Sequence, residues 1–156
     1  MEQTSELRTV LRRVPHGVAV ITVDADGQRL GLTVDSLVSL SLEPPLVGVA
    51  VSIHAALHEL LRDAGAFGVS LLAADQAAVA QHFARGVPPI ALWHEIEVRE
   101  SDGAPLLAGA LGWLQCRVVE EVETGDHTLF VGEVLSAEPG SSSTPLVHYE
   151  SRYRSL

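Results

Sequence analysis

The residues between Gly31 and Pro45 have a composition that suits contact with a polar ligand. From Thr33 to Ser41, hydroxyls and one carboxylate recur every two or three residues among valines and leucines. A buried helix would not scatter hydroxyls in this way, and a solvated loop would not carry so many apolar residues. The pattern is typical of backbone that passes a ligand, with small side chains and N–H groups facing it. Taken alone, an ordinary polar connection between two buried strands is the preferred interpretation.

Two other segments contain groups that suit a phosphate. Residues 52–56 end a predicted strand and begin a predicted helix, where free N–H groups can hold an anion. Arg85 follows another predicted helix, and its planar guanidinium is a permanent cation that pairs with phosphate. Considered alone, Arg85 is explained equally well as a cation that interacts favourably with the helix dipole. An anionic ligand would need such local groups, because distant charge is screened beyond about 8 Å at physiological salt.

The histidines and the one cysteine have ordinary structural explanations when each is considered alone. His127 lies at a predicted hairpin tip, where turn chemistry is the preferred interpretation of a titratable imidazole. His54 and His58 are four residues apart on a predicted helix, a spacing that can bind zinc. No carboxylate or third histidine completes that site at a recognisable spacing, so two solvated histidines and no metal site are predicted. Cys116 lies on the apolar side of a predicted strand, which favours a core thiol.

The composition favours a single globular domain that spans residues 1–156. Hydrophobic residues make up 47% of the chain, which excludes general disorder. The net charge is −10, which argues against nucleic acid and anionic membranes as partners. No apolar run approaches the roughly 20 residues of a membrane span, and no signal peptide is recognisable at the N-terminus. With one cysteine and no possible internal disulfide, a cytoplasmic location is expected.

Apolar periodicity predicts a mainly β fold with two or three helices. The helices are predicted over residues 5–14, 54–63 (ending at Gly65 as C-cap) and 76–84 (capped by Asp75). Strands are predicted over residues 17–23, 46–52, 67–72, 96–98, 110–121, 127–136 and 145–149, with a further strand leading into Gly31, turns at 24–27 and 124–126, and a break at 86–89. Because the helices do not alternate with strands as βαβ units require, we expect an antiparallel barrel with peripheral helices.

Taken together, these segments resemble the flavin reductase domain family, the small components that supply reduced flavin to two-component monooxygenases. The resemblance runs in order along nearly the whole chain. It rests on residues 17–22, 31–36, 39–47, 67–72, 81–84, 107–110, 125–134 and 145–149, followed by Tyr153. Each segment is short, but their joint order is specific to the family.

The resemblance implies an FMN-binding split barrel of Greek-key type, usually a homodimer, that uses NADH or NADPH to reduce FMN or FAD. The reduced flavin would pass to a flavin-dependent monooxygenase. Carried onto this sequence, the family's flavin contacts fall on Thr33, Val34, Asp35, Ser36, Ala50, Val51, Ser52, Ile53, Phe83, Ala84 and Arg85. His127, the candidate catalytic residue, and Tyr153 are expected near the nicotinamide. The alternative function is a flavin-binding or electron-transfer module without turnover of its own.

The sequence departs from the family pattern at a few positions. Leu37 stands where phenylalanine is common, and Ser70 where asparagine is common. Residues 54–56 lack the small hydroxyl side chains often found near the flavin phosphate. Asp35 would repel a phosphate, so we expect its carboxylate near the flavin ring or turned outward, with the backbone making the contact.

Overall fold

The fold is mainly β, as the apolar periodicity predicts. The computed structural model describes residues 2–85 and 87–156, and these ranges form four helices and twelve strands. The helices are α1 (Glu2–Leu11), α2 (Ala56–Ala64), α3 (Ala77–Ala84) and α4 (Pro89–Leu92). The strands are β1 (His16–Gly17), β2 (Ala19–Ala25), β3 (Gln28–Val34), β4 (Val38–Leu42), β5 (Pro45–Ser52), β6 (Ala66–Leu71), β7 (Val98–Arg99), β8 (Leu106–Leu107), β9 (Gly112–Glu123), β10 (His127–Pro139), β11 (Leu146–Tyr149) and β12 (Arg152–Ser155).

One seven-stranded antiparallel sheet curls into the predicted barrel. Its strand order is β3-β2-β6-β9-β10-β5-β4, which puts β3 and β4 at opposite edges. Six strand spacings would separate the edges of a flat sheet by about 29 Å. Only residues 35–37 connect β3 to β4, and four steps of chain span at most about 14 Å. The sheet must therefore bend until its two edges meet at this connection, which confirms the antiparallel barrel.

Strand β2 is buried on both faces and separates two apolar clusters. Ile21 packs inside the barrel with Phe67 and Phe130, whereas Val20 faces the opposite way and packs with Phe83 of α3. Helix α3 approaches closely because β3 has a glycine at Gly31, where a Cβ atom would lie 2.7 Å from the Phe83 ring. The sequence pattern at 17–23 predicts burial on both faces, and the structure confirms it. The close contact between Gly31 and the Phe83 ring also holds α3 against β3.

A second, three-stranded sheet lies beside the barrel, with the order β1-β11-β12. The turn between β11 and β12 has positive φ at Glu150 and Ser151 (51° and 62°), as tight hairpins require. The Glu150 N–H donates to the Arg12 carbonyl oxygen at 2.9 Å, which ties the chain after α1 to this turn. Helix α1 itself buries none of its residues. None of the helices in the described ranges combines the length and apolarity of a membrane span.

Several local predictions need correction. Helix α1 begins and ends three residues earlier than predicted. Asp75 is not the cap of α3, because it lies inside a 3₁₀ turn and Gln76 occupies the N-cap position. The Gln76 side chain accepts the Ala73 N–H at 2.9 Å. Of the predicted break at 86–89, Gly86 lies outside the described residues, whereas Pro89 begins α4. Strands β4, β8 and β12 and the short helix α4 were not predicted: residues 38–42 were expected to belong to a polar connection, and two or three helices were expected where the described ranges form four.

His58 is buried, so the prediction of two solvated histidines is wrong for this residue. It is 3% exposed, and its Nε2 lies 2.7 Å from Thr128 Oγ1 on β10. Its ring meets Phe130 edge-on at 5.4 Å between centroids. His54 is exposed, as predicted. Cys116 is 1% exposed, which confirms a core thiol, and burial raises its pKa to about 12.

Candidate functional site

A cleft of about 190 Å³ lies where β3 ends, and it gathers residues from four separate segments. Its lining residues are Val18, Thr33, Val34, Asp35, Ala84, His148 and Tyr153. Five of these were predicted to bind cofactor from the sequence: Thr33, Val34, Asp35, Ala84 and Tyr153. The walls combine apolar surface with a few converging polar groups, which is the usual character of a small-molecule site.

Two contacts between β3 and α3 hold one wall of the cleft. The Thr33 hydroxyl donates to the Ala80 carbonyl oxygen at 2.6 Å, across 47 residues of sequence. Four residues later on the same helix, Ala84 lines the cleft. The Phe83 ring packs against Gly31 and so holds α3 against β3. The wall is therefore built from non-local contacts that no single segment reveals.

The opposite wall is a short chain of polar side chains. His148 Nδ1 donates to Asp35 Oδ2 at 3.1 Å, so the Asp35 carboxylate is turned toward an imidazole. The register of β11 and β12 pairs His148 with Tyr153, and the two rings lie 5.5 Å apart. Burial, and secondarily the negative charge of Asp35, raises the pKa of Tyr153. The phenol therefore stays protonated at neutral pH and can both donate and accept a hydrogen bond.

His148 belongs to the cleft although it was not singled out from the sequence. It lies within the matched segment 145–149 but has no neighbouring group that suggests chemistry. The feature that identifies His148 as a cleft residue is the hairpin, because a two-residue turn at 150–151 places His148 directly opposite Tyr153.

Ser36 connects the cleft to β5. Its hydroxyl donates to the Ala50 carbonyl oxygen at 2.8 Å and accepts the Ala50 N–H at 3.2 Å. Strand β4 pairs with β5 only as far as Gly48, so the Ser36 side chain replaces the missing strand partner of Ala50. The loop at 35–37 is thereby fixed to the barrel at the point where its edges meet.

His127 lies at the start of β10, opposite Ser52 on β5. Ser52 is two residues from Ala50, or about 7 Å along the strand. His127 Nδ1 lies 2.7 Å from Asp126 Oδ1, and this hydrogen bond lowers the pKa of Asp126. The side chain of His127 is 45% exposed. The structure therefore places His127 beside the end of β5. His127 does not line the cleft that Tyr153 lines.

The segment after β5 has fewer free donors than predicted. The Ile53 N–H donates to the Asp126 carbonyl oxygen at 3.0 Å. The His54 N–H donates to the Ser52 hydroxyl at 3.2 Å, and the Ala55 N–H donates to the Ser52 carbonyl oxygen at 3.0 Å. The prediction of free N–H groups is therefore wrong for these three residues, because the strand end and the helix entry bond to each other. Flavin contacts by Ser52 and Ile53 remain a prediction.

Arg85 has the exposure expected of a ligand-binding cation. Its N–H donates to the Gln81 carbonyl oxygen at 3.2 Å, and its extended backbone ends α3 next to Ala84. Among residues 2–85 and 87–156, no carboxylate forms an ion pair with its guanidinium. The side chains of Phe83 and Val51 are each 1% exposed, so a ligand contact from either would come from the main chain.

A larger cavity of about 500 Å³ lies elsewhere, between the β2–β3 turn and α4. Its one charged lining residue, Arg29, is already paired with Asp24 at 3.0 Å. Converging polar groups are what orient a ligand, so we assign the site to the smaller cleft. No group of three metal-binding side chains occurs in the part of the chain that the structure describes.

Comparisons with known proteins agree on one family. The family model of the flavin reductase like domain matches residues 11–156. An NADH-dependent FAD reductase of Streptomyces globisporus is 38% identical over 153 residues, which cover 96% of this chain and 84% of that protein. The reductase component of 4-hydroxyphenylacetate 3-monooxygenase from Thermus thermophilus is 41% identical over 153 residues, or 96% of this chain and 94% of that protein.

The fold has a close counterpart among solved structures. The flavin reductase component of a bacterial two-component tryptophan halogenase superposes with a TM-score of 0.92. The two chains are 37% identical, and the match covers 98% of each.

Proposed function

The chain belongs to the flavin reductase like domain family, and from that premise we propose that it is an NAD(P)H:flavin oxidoreductase. It passes a hydride from a reduced nicotinamide to FMN or FAD and supplies the reduced flavin to a partner monooxygenase. The observation that carries the assignment to this site is the cleft, which gathers five residues on which the family resemblance places cofactor contacts.

The residues of the cleft fit a flavin. Val34 and Ala84 offer apolar surface to a ring system, and the loop at 35–37 is anchored by Ser36. The Asp35 carboxylate accepts a hydrogen bond from His148, which supports the proposal that it does not contact the flavin phosphate. Arg85, exposed beside Ala84, is the cation available for the flavin phosphate. The residues proposed to hold the flavin are Thr33, Val34, Asp35, Ser36, Ala50, Val51, Ser52, Ile53, Phe83, Ala84 and Arg85.

The bound cofactors supply the reacting rings, and the protein supplies orientation and a dry cleft. Tyr153 forms one wall of the cleft, and its phenol is protonated. Its ring packs against the ring of His148. No side chain is needed as acid or base for the hydride step. We assign His127 to the nicotinamide side, where its ring, held by Asp126, orients the hydride donor. This role makes His127 the candidate catalytic residue.

We also propose that the chain, a single domain over 1–156, works as a homodimer in the cytoplasm. Two apolar surfaces support the dimer. Leu7 and Val10 of α1 are 56 and 62% exposed, and Leu42 of β4 is 89% exposed. Such surfaces gain stability when a second copy covers them. Sedimentation at micromolar concentration should give a dimer, and a fully active monomer would contradict this assembly.

The function is tested by following the nicotinamide absorbance band of the purified protein with FMN or FAD and with NADH or NADPH. At least one pairing should turn over, with one flavin reduced per nicotinamide oxidised under anaerobic conditions. Flavin binding without turnover in all four pairings would favour the non-catalytic module instead.

A further inference from the structure

The arginines of this acidic chain divide into two groups by their partners. The chain has a net charge of −10 and carries ten basic residues, all of them arginine. Five form ion pairs with carboxylates: Arg13, Arg29, Arg62, Arg99 and Arg117. Within residues 2–85 and 87–156, no carboxylate pairs with the other five, which are Arg8, Arg12, Arg85, Arg152 and Arg154.

Arg8 and Arg12 are the two unpaired arginines that share one helix face. They lie four residues apart on α1 and its C-terminal extension, where Arg12 N–H donates to the Arg8 carbonyl at 3.0 Å. Like charges at this spacing repel each other. The nearby carboxylate of Glu150 does not relieve the repulsion, because it pairs with Arg13 at 3.8 Å. Both side chains are exposed, and a bound anion would offset the repulsion between their guanidinium groups.

The two arginines line a cavity that adjoins the cleft. This cavity has a volume of about 440 Å³, and Arg8, Arg12 and Ser151 are among its walls. Asp35 and His148 line both the cavity and the cleft, so the two spaces share a wall. The hydrogen bond from Glu150 to the Arg12 carbonyl ties the arginines to the hairpin that carries His148 and Tyr153. A ligand longer than one ring system can therefore extend from the cleft to the arginines.

We propose that Arg8 and Arg12, here called the arginine clamp, bind the diphosphate of an adenine dinucleotide whose reacting ring lies in the cleft. The inference rests on the proposed function and deepens it. Each guanidinium is a planar fork that matches one phosphate, and side chains four residues apart stand about 5–6 Å apart at Cβ. The Asp35 carboxylate lies in the shared wall, so the phosphates sit on the α1 side of the cavity.

An adenine dinucleotide has two sources in this reaction, FAD and the nicotinamide donor. Both contain the same ADP group, and the clamp recognises that group. Arg85 lies beside Ala84 of the cleft and does not line the cavity of the clamp. FMN held by Arg85 does not need the clamp, whereas FAD or the nicotinamide donor bound through the clamp places both of its phosphates there and not at Arg85.

The test measures ADP binding by titration calorimetry in the parent, in Arg8→Gln/Arg12→Gln, and in the control Arg62→Gln/Arg117→Gln. The control removes the same charge from residues that are paired with Glu121 and Glu133. ADP affinity should fall at least about tenfold in the clamp variant and stay within twofold in the control. The variant Arg8→Lys/Arg12→Lys keeps the charge but loses the planar guanidinium groups, and it should bind ADP with intermediate affinity.

Two further measurements identify the source of the ADP group. If it belongs to FAD, the clamp variant binds FAD more weakly but FMN normally. If it belongs to the donor, the KM for NADH rises while that for reduced nicotinamide mononucleotide does not. Equal ADP affinity in parent and clamp variant, or an equal loss in the control, overturns the proposal. Absence of turnover in the parent would instead refute the proposed function, and the ADP titration does not depend on turnover.

Discussion

Arg85 offers a sharp test of where the flavin phosphate binds, because its structural role is small. The side chain is exposed, and no carboxylate in the described ranges pairs with it. Removing it costs at most the interaction of a cation with the end of α3, about 0.3–1 kcal/mol. For a chain of this size, that cost corresponds to a decrease in Tm of about 1–4 °C.

The effect on flavin affinity should be larger. A charge-assisted hydrogen bond to phosphate contributes about 1–3 kcal/mol, so Arg85→Ala should raise the Kd for FMN by several-fold to about a hundredfold. Riboflavin lacks the phosphate, so its Kd should be nearly the same in variant and parent. Quenching of flavin fluorescence measures both constants under one set of conditions.

Arg62→Ala is the matched control, because Arg62 occupies the last turn of α2 and pairs with Glu59 and Glu121. It should leave both flavin constants unchanged. Equal losses for FMN and riboflavin in Arg85→Ala would mean that Arg85 acts through the structure of the cleft. An unchanged FMN constant would refute the phosphate contact.

The remaining predictions concern the nicotinamide, the loop at 35–37 and the core thiol. His127→Ala should lower kcat/KM for the nicotinamide about 10- to 100-fold with flavin affinity nearly unchanged, and His127→Asn should recover part of the loss; a change mainly in flavin Kd would contradict the role. Ser36→Ala removes two hydrogen bonds to Ala50 and should lower Tm by about 2–8 °C and weaken flavin binding, whereas unchanged flavin affinity would mean that the loop does not position the flavin. Cys116 has a pKa of about 12 in the folded protein against an ordinary 9.0, so the stability from its buried thiol is complete below pH 9 and is lost as pH rises toward 12. A thiol reagent at pH 8 should therefore react only after unfolding, and rapid reaction with the native protein would show that the thiol is accessible.

The long elements of the fold are predictable from the sequence because their signals are local. In β9, apolar and polar residues alternate over 114–118. Helix α2 ends at Gly65, which takes the left-handed conformation with φ +66° as predicted. Strand β8 has two residues, which is too short for any periodicity. Asp75 resembles a helix cap in sequence, but it lies inside the 3₁₀ turn Ala74–Gln76 that precedes α3, and the Gln76 side chain accepts the Ala73 N–H across that turn.

The candidate site was only partly predictable, because its contacts are non-local. His58 is buried by Thr128, which is 70 residues away, so no local pattern distinguishes it from solvated His54. The donors after β5 were expected to be free, yet Asp126, brought in by the β10 pairing, takes one of them. The residues of the cleft were located by resemblance to the family, whereas the sequence pattern alone favoured an ordinary loop.

The position of bound flavin is the most direct test of the central claim. A crystal structure of this protein with FMN should place the ring system in the cleft, against Val34 and Ala84, with the phosphate near Arg85. Density for FMN in the cavity beside α4, lined by Arg29 and Trp93, would contradict the assignment.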